Sequence, residues 1–273
     1  MKSKLHISTK LNNHGKTVLD QYFVQPPFKL MSLPNNSAWD TALTAMQMSS
    51  SPGLLAGDDL SVEIALAANT RLILTTQAFT RVQSMDIGKR ATQSLNIHLD
   101  TDSRLHYVPH PLVLHKDSAL EQRTDITMRS GSQLIFAEVI AIGRAANGER
   151  FEFSQFSSHL TIHEQHPDHS TVLLSDCIQW HPKLMDLTAI GQMEDYSHQG
   201  MLLFMHIDQD PADIAARLST IQGMIDTAEQ DDPQLLIGAS LIQAHGFVVR
   251  ALGHNAQSIE QLFARIGQSL QAN

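Results

Sequence analysis

SVEIALAANTRLILTT, residues 61–76, places Val62, Ile64 and Leu66, and then Leu72 and Leu74, at every second position. A strand turns successive side chains to opposite faces, so this spacing predicts two β-strands with one buried face each. The same period recurs at Leu95, Ile97 and Leu99 and at Ile126 and Met128. SQLIFAEVIAIG (132–143), RFEFSQF (150–156), SHLTIHE (158–164) and STVLLSD (170–176) add runs rich in β-branched and aromatic residues. Together they predict a mainly β body over about residues 1–207. Asn147-Gly148 is the strongest turn signal, because both residues accept the positive φ angles of a type I′ turn. It predicts a hairpin in which the strands on either side pair.

The period changes near residue 211. Asp210 is a capping residue, Pro211 suits the first helical position, and Ile214, Leu218, Ile221, Ile225 and Ala228 share a helical face. Asp231, Asp232 and Pro233 end that helix. A strand-like segment, 235–252, follows, and a second helix is predicted from Ser258, with Ser258 and Gln261 as a capping box and Ile259, Leu262, Phe263, Ile266 and Leu270 as its apolar face. PNNSAWDTALTAMQMSSSPGLLAGDD (34–59) is broken by Asn, Ser, Pro and Gly and reads as a loop. No linker and no repeat of fixed period divides the chain, so one domain over 1–273 is expected, with a helix-containing part from about 208 to 273.

Composition excludes several classes. The chain has 273 residues, 42% of them hydrophobic and 17% charged, which is enough for a sizeable core and too apolar for a disordered tail. Twenty-eight acidic against 19 basic residues give a formal charge of −9, which argues against nucleic acid as a partner. Cys177 is the only cysteine, so no intrachain disulfide forms, and it reads as a small buried hydrophobe. MKSKLHISTKLNNHGKTVLD has no continuous apolar run of the kind a secretory signal needs, and no stretch reaches the length of a spanning helix. A cytoplasmic protein with no membrane contact is expected.

Fifteen histidines invite a metal reading. In HEQHPDH, His163, His166 and His169 stand beside Glu164 and Asp168, yet a spacing of three fits neither one strand face nor a helix across Pro167. A solvated loop between two strands is the plainer reading. In LHYVPHPLVLH, His106, His110 and His115 are interrupted by Pro109 and Pro111 and read as edge-strand histidines. No G-x-S-x-G, H-E-x-x-H, P-loop or G-x-G-x-x-G occurs, so no catalytic constellation is indicated. Asp58 and Asp59 suit a tight turn that bonds local amides.

Ser51-Pro-Gly-Leu-Leu-Ala-Gly-Asp58, then Leu72-Ile-Leu-Thr-Thr-Gln-Ala-Phe-Thr80 and Val82, resemble in order and spacing the urease accessory protein family UreD/UreH. The matching positions are Gly57, Asp58, Thr75, Thr76, Gln77 and the basic Arg81. The resemblance continues through Leu105 to Pro109, Glu138, Gly143-Arg144-Ala145, Gly148-Glu149-Arg150-Phe151 and Val249 to Leu252. Two features depart from the family pattern: His106 and His110 flank the Leu-Pro segment, and the carboxyl-terminal segment lacks an aromatic and basic ending.

The resemblance implies a β-helix-like or layered all-β body with about two late helices, and a non-catalytic protein that helps assemble the nickel centre of urease. It also implies UreF, the GTPase UreG and apo-urease as partners. A chain that passes Ni²⁺ onward holds it weakly, since a closed His-rich site traps nickel. No tightly bound cofactor is expected, only Ni²⁺ in transit. Asp58, Glu138 and Glu149 are the family-matching acids for such a route; a turn cap, a paired strand carboxylate and a hairpin-end charge are their plain structural roles. Two other readings stand beside this one: an autonomous nickel-binding or storage module built on the histidines, and a β-helical hydrolase or lyase acting through Asp58 and Glu138.

Overall fold

In the computed structural model, which describes residues 1–243 and 245–272, the chain runs through β1 (Lys2–Leu11), β2 (Thr17–Val24), β3 (Phe28–Leu33), β4 (Leu43–Ser49), β5 (Asp59–Leu66), β6 (Arg71–Thr76), β7 (Thr80–Val82) and β8 (Ala91–Leu99). It continues through β9 (Arg104–Tyr107), β10 (Leu112–Leu114), β11 (Ala119–Met128), β12 (Gln133–Ala141), β13 (Gln155–Gln165), β14 (Ser170–Trp180) and β15 (His198–His206). Helix α1 (Pro211–Asp231), strands β16 (Leu236–Ile242) and β17 (Gly246–Gly253) and helix α2 (Ala256–Ala272) follow.

The protein is mainly β and solenoid-like. Strands β1, β5, β8, β11 and β13 pair in parallel as one sheet, edged by β2 and β14. In the second sheet β4, β6, β9 and β12 also run parallel, with β15, β17 and β16 added antiparallel on one side and β3 on the other. Each coil crosses from one sheet to the other and back. The first-sheet strands begin at residues 59, 91, 119 and 155, so successive coils differ in length and no fixed sequence period arises.

The two rims of the solenoid are built differently. At the tight rim, connections 67–70, 100–103 and 129–132 are four-residue turns, each closed by a bond from the fourth N–H to the first carbonyl. Asn69, Asp102 and Gly131 take the positive φ that these turns need at the third position. At the wide rim the crossings are long: 50–58, 77–90, 108–118, 142–154 and 181–197.

Apolar side chains of alternating parity fill the space between the sheets, among them Leu5, Ile64, Ile97, Ile126, Leu105 and Phe136. The second sheet is buried on both faces, which is why β12 reads as a nearly continuous apolar run. Its outer face, with Ile135, Ala137, Val139, Phe204 and Val249, packs against Ile214, Ile221 and Ile225 of α1 and Ile259, Phe263 and Ile266 of α2. Gly200 permits this approach, since a Cβ there would lie 2.5 Å from Ile259 Cγ2.

Several expectations are corrected. Residues 142–154 do not form a hairpin: β12 and β13 lie in different sheets, and residues 150–154 of the expected strand RFEFSQF (150–156) belong to the connection. Gly148 takes positive φ but Asn147 ends a 3₁₀ turn, with Gly148 N–H donating to Ala145 O at 3.0 Å. Turn chemistry fixed the turn, but the length of the crossing decides which sheet the chain enters. Segment 34–59 contains β4, whose alternation is masked by its polar neighbours, and buries Trp39. Segment 235–252 is two antiparallel strands. The α2 cap is Asn255, whose Oδ1 accepts from Ser258 N at 2.9 Å, while the Ser258 hydroxyl donates to Asp232. Cys177 is exposed, because it sits on the outer face opposite His159. The first helix, its Asp210 cap and both apolar helix faces are as expected.

Candidate functional site

A polar layer crosses the otherwise apolar interior one step inside the wide rim. In the first sheet Gln93, Gln122 and Ser158 are neighbours in register and share the inward parity of Leu95, Thr124 and Leu160. From the second sheet come Gln47, Thr76 and Glu138. Glu138 is in register with Met201, which is in register with Arg250. Arg250 Nη2 donates to Asp176 Oδ1 at 2.9 Å, joining β17 to β14 where the layer reaches the far side.

Glu138 is the ionisable centre of this layer. Gln122 Nε2 donates to its Oε1, and lies 3.4 Å from Ser158 Oγ. Burial pushes the Glu138 carboxyl up to about 7, with Asp176 adding in the same direction and the Gln122 bond opposing it. Tyr107, buried beside it, is held well above the ordinary phenol range by burial and by the Glu138 charge.

Glu138, Gln122, Gln93, Gln47, Thr76 and Thr124 line a cavity of about 60 Å³, room for a few waters. Gln47 Oε1 is buried without a hydrogen-bond partner among the described residues, so this wall holds an acceptor that a water or a cation would satisfy. A second cavity, of about 190 Å³, shares Gln47, Thr80 and Gln93 with the first and extends to Asp58, Gln77, Arg81 and Phe79. Asp58 is buried, with Oδ2 accepting from Leu55 N at 2.8 Å and Oδ1 accepting from the Met1 amino group at 2.9 Å. Asp59 instead accepts from the Thr92 hydroxyl.

The predicted residues therefore divide. Thr76 and Glu138 line the first cavity, and Asp58, Gln77 and Arg81 the second. Gly57, at positive φ, donates to Arg90 O and shapes the turn that presents Asp58. Thr75 points the other way, its hydroxyl 3.3 Å from Val108 O on the helix-covered face. Glu149 lies outside the layer: Arg144 bonds it at both oxygens and holds its carboxyl down at about 2. All of these residues except Glu138 stand at or beside the wide rim.

The histidines do not converge. His106 is not on an edge, since β9 lies between β6 and β12; it is covered by α2, bonded by Gln271, and pushed down to about 4 by burial. His110 pairs with Glu260 at 2.8 Å. The expected loop is shorter than HEQHPDH: His163 and Glu164 are paired strand residues of β13, and only His166 and His169, which stack at 4.4 Å, lie in the turn to β14. Among the described residues no three His, Cys, Asp or Glu side chains are grouped to hold a metal.

Gln47, Gln93, Gln122, Thr124 and Ser158 were not singled out from sequence. Each follows the inward parity of its strand, but only the register between strands makes them one layer. Two neighbouring cavities lined largely by side-chain oxygens, inside a β-solenoid with no group of three metal ligands among the described residues, are what distinguish this interior.

Residues 1–273 match the family model described as UreD urease accessory protein. The chain is 54% identical over 273 residues to "Urease accessory protein UreD" of Actinobacillus pleuropneumoniae serotype 5b (strain L20), covering 100% of this chain and 98% of that one. It is 51% identical over 274 residues to the protein of the same name from Haemophilus influenzae (strain PittEE), covering 100% of each. The chain belongs to the UreD family of urease accessory proteins. Among the described residues no helix is long and apolar enough to cross a membrane.

Proposed function

We propose that the chain is a non-catalytic urease maturation factor that acts in the cytoplasm with UreF and UreG and passes Ni²⁺ through its interior to apo-urease. The observation that carries this reading is the buried polar layer of Gln47, Gln93, Gln122 and Glu138, beside a second cavity that Asp58 lines. Its donors are carboxylate, amide and hydroxyl oxygens, which bind nickel more weakly than imidazole or thiolate. Glu138 titrates near neutrality, so it offers a carboxylate that gains and loses its proton, and its cation, at small cost. A storage protein would instead close several strong ligands around the ion.

The test is urease produced in cells lacking this chain and in cells given it back, at ordinary nickel supply. The proposal expects synthesised, nickel-poor, inactive urease without the chain and restored nickel with it. Full nickel occupancy in its absence would overturn the reading. Tight nickel binding by the isolated chain would favour the storage reading.

A further inference from the structure

Arg71, Arg104 and Gln133 are the first residues after the three tight-rim turns, and they open β6, β9 and β12 in register. Gln133 is in turn in register with His206 of β15. All four share the parity of Ile73, His106, Ile135 and Phe204, so they form one row across the outer face of the second sheet. The two helices meet the sheet here. Arg217 of α1 reaches over the Phe204 ring, 5.7 Å from its centroid, and Gln133 Nε2 donates to Leu270 O of α2 at 3.5 Å.

Neighbouring strands lie about 4.8 Å apart, so the stems of Arg71 and Arg104 start side by side. Like charges directly opposite one another destabilise a sheet. Among the described residues neither guanidinium forms an ion pair or a hydrogen bond. Arg81 and Arg265 also lack an ion pair among the described residues, but each is exposed. Arg71 and Arg104 are half-buried, where an unbalanced charge costs more. Burial, then the charges of Arg71 and Arg217, hold the Arg104 guanidinium below its ordinary range, and only the exposed Asp102 opposes them.

His206 extends the same deficit. Its Nδ1 is buried with no hydrogen-bond partner among the described residues. Burial and the charges of Arg104 and Arg217 push the imidazole down, against a bond to the Gly131 backbone and the pull of Asp102. An anion beside it would reverse that balance and make Nδ1 a donor. Asp213, which lines a groove of about 360 Å³ with Arg217, accepts from Gln209 instead. A chain with a net charge of −9 thus gathers basic groups at one place without matching acids.

We infer that Arg71, Arg104 and His206 form an anion site at the tight rim that takes a phosphate-type oxyanion, either inorganic phosphate or the phosphate group of a small phosphomonoester. Each guanidinium fork bonds two oxygens of one anion. A carboxylate has too few oxygens to serve two forks and an imidazole, whereas a phosphate carries enough oxygens and up to two charges. The site lies at the opposite rim from the polar layer and on the other face of the second sheet, so it does not rest on the proposed function.

The test titrates the full chain, freed of phosphate, with inorganic phosphate, with glycerol 3-phosphate and with sodium chloride at equal ionic strength, by calorimetry and thermal melting. A phosphate should bind saturably and raise the thermal midpoint, and chloride should do neither. Tighter binding of the inorganic ion makes the free ion the ligand; tighter binding of glycerol 3-phosphate makes it an ester. Arg71→Gln/Arg104→Gln should weaken binding roughly tenfold or more, the loss of a charge-assisted bond, and without phosphate it should melt no lower than wild type because the like-charge contact is gone. Arg104→Lys keeps the charge and the stem but not the fork, and should also bind more weakly. Arg123→Gln, which loses only an exposed pair with Asp125, should bind like wild type. No saturable binding of either phosphate to the wild type would overturn the inference, whatever the variants do. So would binding that is unchanged in Arg104→Lys and in the double variant.

Discussion

Replacing Glu138 by Gln separates the electrostatics of the layer from its packing. Gln is of nearly equal size and keeps an Oε1 to accept from Gln122. The Glu138 carboxyl titrates at about 7 in the folded chain against an ordinary 4.5. The folded chain thus holds this proton more tightly than the unfolded one. Below about 4.5 both states are protonated and the group costs nothing; as pH rises towards 7 the wild type loses stability; above 7 the loss is complete. At 1.36 kcal/mol per tenfold change in proton affinity, the full loss is about 3 kcal/mol. Gln is neutral throughout, so the variant escapes it. Urea unfolding of both proteins from pH 4.5 to 8.5 should show the variant's advantage growing from near zero to about 3 kcal/mol. An advantage that does not change with pH would show that burial does not govern this carboxyl, and would refute the reasoning.

Three further outcomes are expected. Gly143→Ala places a Cβ against the backbone of Glu149 at φ 156°, so it should cost about 2–4 kcal/mol, whereas the Cβ of Gly148→Ala meets nothing within 4 Å and should cost only about 1–2 kcal/mol of backbone strain; thermal melts of the two variants rank them. Arg144→Ala should let the Glu149 carboxyl return from about 2 towards its ordinary 4.5, read by carboxyl NMR titration; an unmoved Glu149 would mean that Arg144 is not the cause. Replacing His163, His166 and His169 together by Asn or Gln should leave fold, partner capture and urease nickel content intact, and a loss of nickel with the other two unchanged would make those residues ligands.

Period alone showed where most strands lie and which face of each is buried, because alternation survives in β5, β6, β8 and β11. Helix signals were local and equally legible, down to the Asp210 side chain on Ala212 N. What failed was information carried between elements. Asn147-Gly148 announces a turn, but nothing near it says that the next strand joins the opposite sheet. Glu138 was singled out only by its match to the family pattern, although it shares the inward parity of Phe136 and Ile140. Gln47, Gln93, Gln122 and Ser158 were ordinary polar residues until the parallel register stacked them. Arg144 and Glu149 matched the family pattern for a different reason: they bond each other in the crossing after Gly143, outside the polar layer.

The most direct measurement is nickel per active site in urease activated with Gln122→Leu/Glu138→Leu, beside capture of UreF and apo-urease by the same variant. The pair removes donor and acceptor together, so no buried polar group of the pair is left unmatched and the chain should fold. The account predicts capture like that of wild type and a nickel content at least tenfold lower. Urease fully loaded with nickel by this variant would contradict it.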